Sequence, residues 1–547
     1  IYTIFYERRL LMSKSNESKF GDYFKLPNQG LRAYFNNVFK GQPNVYDTPF
    51  AKGESTKDLL DAWDGFLVSI KDEWPTLYEF EKDLASKVGP MSIMLPLKDR
   101  MSDIDSYYDG ISLPSEPISD RAIQAVLKEW SAARGLHVRN QQKTVDLMKK
   151  STNSGSPYFT KRRNVVRDTV PCSVEQRAGT TYQLLDHGKQ KWNACAVLGW
   201  RGQEGGPSKE DVKQRVVWMF PFAVNIEELR VYQPLIEAAQ KFNLVPAWVS
   251  MEEVDKAITR LFDTKGPEDL IVCTDFSKFD QHFNHSLQDA ASQLLNGIFT
   301  PNQEMHSWLS NVFPIKYQIP LAYDYGKVRY GAHGMGSGSG GTNADETLAH
   351  RALQYEAAQN QGKRLNPNSQ CLGDDGILSY PNIAVEDVID SYTKHGLEMN
   401  ESKQYASKQD CVYLRRWHHS RYRVNGVCAG VYSTMRALGR LRYLERWMDP
   451  EVWGPKTVAL RQLSIIENVK YHPLRDQFAE FCMKRDKYRL GIDIPDFLDN
   501  IADEAQKVID YMPDFLGYTK TLQAEVDGIG IESWWIVKYL KSKARSR

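Results

Sequence analysis

Apolar spacing divides the chain into stretches of different period. In residues 56–70, Leu59, Leu60, Trp63, Phe66 and Leu67 recur at helical intervals, and helical patterning returns over residues 119–150. Residues 13–115 otherwise mix Pro, Gly and aromatics, which predicts an irregular region with several short helices. The glycine-rich stretch 199–207 predicts an exposed loop, and Val216-Val217-Trp218 a strand in which Lys213 and Arg215 share one face. At residues 270–274 the pattern becomes a continuous β-branched run, predicting a buried strand that ends at Asp275. A helix follows over residues 342–359, with Leu348, Ala352 and Leu353 on one face and Thr342 and Asp345 spaced as a capping box. Two apolar runs then flank Gly373-Asp374-Asp375-Gly376, a hairpin signal. Beyond Ala437 the pattern is helical, with Leu441, Leu444, Trp447 and later Val508, Ile509 and Tyr511. No internal repeat is visible.

The 547 residues predict about three to four compact units. With 41% apolar and 25% charged residues the chain can bury large cores, which excludes wholesale disorder. Lys plus Arg total 70 against 69 acids, so any site for a polyanion must be local. Seven cysteines, odd in number and without a Cys-x-x-Cys pair, argue against a disulfide framework or structural zinc and for a reducing compartment. The apolar opening, residues 1–6, meets Glu7, Arg8 and Arg9 at once, so no membrane insertion is expected. Met12-Ser13-Lys14 reads as a natural beginning, with residues 1–11 as upstream sequence. The basic tail (Lys538, Lys541, Lys543, Arg545, Arg547) is open to two readings, an RNA or capsid contact and a solvated terminus.

Three carboxylates stand where backbone geometry can join them: Asp275 at a strand's end, and Asp374 and Asp375 at a hairpin. Mg²⁺ prefers such open oxygen sites, completed by waters and substrate phosphates. Two ions about 3.5–4 Å apart activate an attacking hydroxyl and stabilise a leaving oxygen, which implies nucleotidyl transfer. Gly-Asp-Asp alone is a weak signal. Its weight comes from the ordered set: Asp275-x-x-x-x-Asp280 after a strand, Ser337-Gly338-x-x-x-Thr342 opening a helix, and Gly373-Asp374-Asp375 in a hairpin. Asp280 can accept a hydrogen bond from a ribose 2′-hydroxyl, favouring ribonucleotides; as a bland alternative it is a surface acid.

A triphosphate needs cations, and Lys209, Lys213 and Arg215 supply them unless their strand is merely a solvated edge. Thr152-Asn-Ser-Gly155-Ser-Pro157 followed by Lys161-Arg162-Arg163 is either a plain basic turn or a cradle for the phosphates of an incoming strand. Lys403 would protonate departing pyrophosphate if it faces the metals. His282-x-x-His285 lacks a third zinc ligand, and His418-His419 are read likewise.

On these motifs the chain resembles the viral RNA-dependent RNA polymerases, and in detail those of the picobirnaviruses. Thr152, Gly155 and Pro157 match the family's template motif, Lys213 and Arg215 its basic fingertip motif, and Asp275 and Asp280 its first palm motif. Ser337, Gly338 and Thr342 match the second, Asp374 and Asp375 the third and Lys403 the fourth, with Leu414-Arg415-Arg416 as the primer-grip segment. The chain departs from many relatives in placing Glu346 where they have Asn, with Asn343 and Asp345 nearby, which leaves open the residue that helps Asp280 read the ribose.

The resemblance implies an α+β fold, a closed right hand of fingers, palm and thumb with an antiparallel palm sheet and a helical thumb. It divides the chain into an N-terminal extension bridging fingers and thumb (1–115), fingers (116–224), first palm part (225–282), fingers insertion (283–330), second palm part (331–430), and thumb with C-terminal tail (431–547). It implies catalysis by Asp275, Asp374, Asp375 and Lys403, and two Mg²⁺ ions, replaceable by Mn²⁺, on Asp275, Asp374 and Asp375. Nucleotide binding would fall to Lys209, Lys213, Arg215, Asp280, Ser337, Gly338 and Thr342, and template and primer contacts to Thr152, Gly155, Pro157, Arg415 and Arg416. The partners implied are single-stranded RNA template, nascent RNA, ribonucleoside triphosphates and the viral capsid protein. The setting implied is replication and transcription of a double-stranded RNA genome within the virion in the host cytoplasm. The rival readings are a reverse transcriptase, against which Asp280 speaks, and a non-catalytic RNA-binding or capsid-associated relative.

Overall fold

The computed structural model describes residues 20–449, 451–508 and 530–546; the apolar opening, Met12, Ile509, Tyr511 and Arg547 lie outside them. Helix α1 (Thr56–Leu67) forms where its period predicts, with the Ser55 side chain accepting from the Asp58 N–H as N-cap. It buries Leu59, Trp63 and Leu67, and α2 (Pro75–Ala85) follows with Pro75 in its first turn. The helical stretch 119–150 resolves into α3 (Asp120–Glu129) and shorter pieces.

The predicted loop 199–207 is instead largely strand: β1 (Ala196–Gln203) pairs antiparallel with β2 (Lys213–Met219), which does place Lys213 and Arg215 on its exposed face. The glycines mark close packing rather than a turn, since a Cβ on Gly202 would stand 1.9 Å from the Met91 carbonyl oxygen. Helices α4 (Phe222–Lys241) and α5 (Met251–Thr264) lead to β3 (Ile271–Thr274), all four residues of which are buried. Strands β4 (Leu321–Asp324) and β5 (Lys327–Arg329) extend the first sheet to the order β2-β1-β4-β5.

Helix α6 (Thr342–Asn360) runs through the largest core, burying Leu348, Ala349, Ala352 and Leu353. Its expected capping box is not made. The Thr342 hydroxyl donates back to the carbonyls of Gly336 and Ser339 at 3.1 and 3.3 Å. Asp345, which is fully buried, pairs with Lys316 at 2.9 Å and accepts from the hydroxyls of Tyr232 and Tyr317. Strands β6 (Gln370–Leu372) and β7 (Asp375–Leu378) form the expected hairpin, its turn falling on Gly373-Asp374 rather than on Asp375-Gly376. With β8 (Tyr405–Ser407) they build the antiparallel sheet β6-β7-β3-β8. A small sheet of β9 (Asp410–Tyr413), β10 (Arg416–His419) and β11 (Val431–Tyr432) follows.

The C-terminal part is helical, with α7 (Thr434–Arg442), α8 (Pro455–Glu467) and α9 (Trp535–Arg545) carrying the basic tail. Its core is shared with the N-terminal segment: Leu59, Trp63 and Leu67 pack with Leu438, Leu463, Phe478 and Val537. The backbone is stitched across the same seam, with the Thr48 N–H donating to the Arg442 carbonyl and the Leu444 N–H to that of Tyr46, both at 2.9 Å. Among the described residues no helix is long and apolar enough to cross a membrane.

Candidate active site

Asp275 follows β3 directly and Asp374 sits in the β6–β7 turn, so antiparallel pairing of β3 with β7 brings the two acids to the same edge of the sheet. Gly373 takes a φ of +58°, which glycine adopts without steric cost and which lets the turn close in two residues. Two side chains of α6 pin this turn: the Gly373 N–H donates to the Thr347 hydroxyl at 2.9 Å, and His350 Nδ1 meets the Gly373 carbonyl at 2.8 Å. Burial pushes the His350 imidazole down to about 4, so the ring is neutral and Nδ1 is the donor. Gln404 clamps the other acid from both sides, accepting from the Asp275 N–H at 2.7 Å and donating to its carbonyl at 2.8 Å.

A cleft of about 510 Å³ is lined by residues that include Lys213, Asp275, Asp375, Arg415, Arg436 and Arg440, and Asp374, the neighbour of Asp375 in the turn, is exposed. Dehydration by the surrounding protein, then the charges of Asp280 and Asp275, pushes the Asp374 carboxyl above its ordinary range. Asp375 is different. Its carboxylate accepts the Leu414 N–H at 2.7 Å, and burial raises it to about 7. Among the described residues no three acids, histidines or cysteines gather closely enough to hold a metal by themselves. Asp275 and Asp375 both line the cleft, and Asp375 is in addition tied to the β9–β10 turn through the Leu414 N–H.

Asp280 faces the side chain of Glu346, which is only 4% exposed. Burial, then the charge of Asp280, drives the Glu346 carboxyl well above the usual range. Glu346 is thus the α6 residue whose carboxyl lies beside Asp280.

Ser337 and Gly338 lie in a loop pressed against β2. A Cβ on Gly338 would stand 1.6 Å from the Trp218 carbonyl oxygen, so only glycine fits. The loop is anchored by buried Glu228 of α4, which accepts from the Ser339 hydroxyl and, at 3.2 Å, from the Gly340 N–H. Burial raises the Glu228 carboxyl to about 7, against the pull of Lys316 and the Ser339 bond.

The cations form one group. Burial lowers both Lys213 and Arg415, and their neighbours add to the shift: Lys87, Arg215 and Arg415 around Lys213, and Arg436, Arg215 and Arg440 around Arg415. The thumb-side pair was missed in the sequence, although Arg436 and Arg440 at i,i+4 on α7 are its signature. Glu204 holds both, at 2.6 Å from Arg436 and 3.7 Å from Arg440.

Arg416 does not reach the cleft. Side chains alternate along a strand, and its guanidinium turns inward to a two-pronged pair with Asp255, each bond 2.9 Å. Lys209 and Lys403 are exposed on single helical turns, Lys403 next to Gln404. Of the template motif, Thr152 is exposed, whereas Gly155 and Pro157 are buried and shape the turn, with Gly155 against the Phe220 carbonyl. His282 Nδ1 is bound to the Ser277 carbonyl at 2.9 Å.

Comparison with known proteins follows the same lines. The family model described as viral RNA-dependent RNA polymerase matches residues 104–435. A potential RNA-dependent RNA polymerase of human picobirnavirus is 64% identical over 526 residues, covering 95% of this chain and 98% of that one. The crystal structure of the RNA-dependent RNA polymerase of a human picobirnavirus superposes with a TM-score of 0.91 at 63% identity, covering 96% of this chain and 98% of that one. An insertion-loop deletion mutant of such an enzyme superposes with a TM-score of 0.90 at 61% identity, with the same coverage.

Proposed function

Since the chain belongs to the viral RNA-dependent RNA polymerases and is an RNA-directed RNA polymerase with the right-hand fold, we propose that it extends RNA at Asp275 and Asp374 by two-metal nucleotidyl transfer. The observation that carries this reading is the meeting of these two acids at one sheet edge, beside the cleft that Asp275, Lys213 and Arg415 line. The donor set suits a hard divalent ion: carboxylate oxygens only, with the Asp374 carboxyl raised first by dehydration and then by the charges of Asp280 and Asp275. Asp275 and Asp374 would hold two Mg²⁺ ions, with Mn²⁺ able to replace them. When bound, such ions activate a 3′-hydroxyl and neutralise charge on the phosphates.

The chain's own residues do the rest. Lys213 and Arg215 steady the triphosphate, and Arg415 adds charge from the primer side, in a setting where fixed charges act strongly because little water reorganises. Asp280, held by Glu346, accepts the ribose 2′-hydroxyl. Asp375 orients the turn below Asp374 through the Leu414 N–H. Lys403 supplies the proton to pyrophosphate, and the turn at Thr152, Gly155 and Pro157 guides the single-stranded template. In its viral setting the enzyme replicates and transcribes a double-stranded RNA genome inside a capsid in the host cytoplasm, in contact with the capsid protein.

The test is purified protein with a short single-stranded RNA, four ribonucleotides and Mg²⁺ or Mn²⁺, read as nuclease-resistant duplex. Asp374→Ala abolishes synthesis while leaving fold and RNA binding intact. Retained synthesis by this variant overturns the assignment. Co-sedimentation of the enzyme with purified virus particles tests the capsid association.

A further inference from the structure

A second cleft, of about 500 Å³, lies at the C-terminal end of α6, whereas the catalytic turn is held by Thr347 and His350 in that helix's first half. Nine residues, about 14 Å along the helix axis, separate His350 from Gln359 on the cleft. Four cations line this cleft: Arg121 from α3, Lys265 just after α5, and Lys363 and Arg364 from the loop after α6. Arg121, Lys363 and Arg364 are exposed, and among the described residues no ion pair engages any of the four.

The carboxylate in the cleft, Asp269, already accepts the N–H groups of Gly266 and Asn382 at 3.2 and 2.9 Å. Two helix C-termini, of α5 and α6, also point here, each worth about half a negative charge. Four cations against Asp269 and these two half charges leave an excess of about two positive charges. Neutralising helix ends therefore does not account for the cluster.

Two polar atoms buried behind the cleft's walls lack partners. Tyr380 is 2% exposed and its hydroxyl makes no hydrogen bond, and Gln359 donates to the Arg121 carbonyl at 3.3 Å while its own oxygen accepts from nothing. Excess positive charge on an open cleft with Tyr380 and Gln359 in its wall matches a phosphate joined to a group that packs against that wall. The volume falls within the range of small-ligand sites and is too small for a duplex.

We infer that this cleft is an accessory site for one nucleotide unit of single-stranded RNA, its phosphate among Arg121, Lys265, Lys363 and Arg364 and its sugar or base against Tyr380 and Gln359. A free nucleotide carries the same chemistry, and the experiment separates the two sources. Full-length enzyme is titrated calorimetrically, without divalent metal, with a 5′-phosphorylated octaribonucleotide and, in a second arm, with ATP. The wild type takes up one more equivalent of RNA than the Lys363→Glu/Arg364→Glu double variant. The extra site weakens with salt at a log–log slope of about −0.7 to −1.4, as expected for one phosphate and at most one neighbour along the strand. The double variant extends a primed template at the wild-type rate. ATP filling the extra site while the octamer does not assigns it to the free nucleotide. Equal stoichiometry and equal salt slopes in wild type and double variant overturn the site and reduce the cations to helix-end neutralisation.

Discussion

Removing the Glu346 carboxyl tests how this enzyme tells ribose from deoxyribose. Glu346 is buried beside Asp280, its carboxyl is pushed well above the usual range, and its Oε1 has no partner among the described residues; its protonated form would be the donor to Asp280. A hydrogen bond to a charged acceptor contributes about 1.5–3 kcal/mol. In Glu346→Ala, Asp280 loses the bond that fixes its carboxylate, so the preference for ribonucleotides falls by about 10- to 150-fold. The assay is single-nucleotide extension of a primed RNA, comparing kcat/KM for GTP and dGTP. Glu346→Gln keeps an N–H donor towards Asp280 and stays within about threefold of the wild-type ratio, since the lost term is only the difference between two neutral donors. If Glu346→Ala retains full discrimination while Asp280→Ala loses it, Asp280 needs no support from α6 and the reasoning fails. If Glu346→Gln falls as far as Glu346→Ala, the donor role is wrong.

The other predictions concern the loop, the buried ion pair and pH. Gly338→Ala places a methyl 1.6 Å from the Trp218 carbonyl and displaces the loop from β2; extension drops at least tenfold, read with a melting curve that stays cooperative. Arg416→Met leaves Asp255 buried without its partner and destabilises by about 3–5 kcal/mol in urea unfolding, while RNA affinity measured on the folded protein is unchanged. A loss of RNA affinity alone would return Arg416 to the primer contacts. Glu228 has a folded value of about 7 against an ordinary 4.5, so the folded state binds the extra proton. Its stabilising share is fully present below about pH 4.5 and is lost as pH rises through about 7. The melting temperature of Glu228→Gln accordingly declines less between pH 5 and pH 8 than that of the wild type.

Much of the site was legible because its motifs are local. A β-branched run ending in an acid, a glycine-led hairpin and a Ser-Gly loop before a helix each declare their geometry within a few residues, and the sheet joins them. What was not legible depends on contacts distant in sequence. Gly199 and Gly202 read as loop because nothing local reveals that Val217 and the Met91 carbonyl press against them. Arg416 read as a primer contact because its partner, Asp255, lies 161 residues away. Thr342 and Asp345 had the spacing of a cap, but Lys316, Tyr232 and Tyr317 make Asp345 the centre of a buried cluster instead. Gln404, Thr347 and His350 hold the acidic turns in place through backbone bonds that no spacing rule announces.

The seam between residues 46–85 and the C-terminal helices sets a condition on synthesis of the chain. A ribosome releases the Leu59, Trp63 and Leu67 stripe hundreds of residues before the segments that cover it, so a nascent chain carries that apolar face bare until α7 and α8 emerge. Glu81, buried and joined to the Thr434 N–H at 3.2 Å, waits equally long for its partner. A prematurely terminated product is therefore sticky as well as idle, and polymerising activity appears only once the last third of the chain has docked on the first.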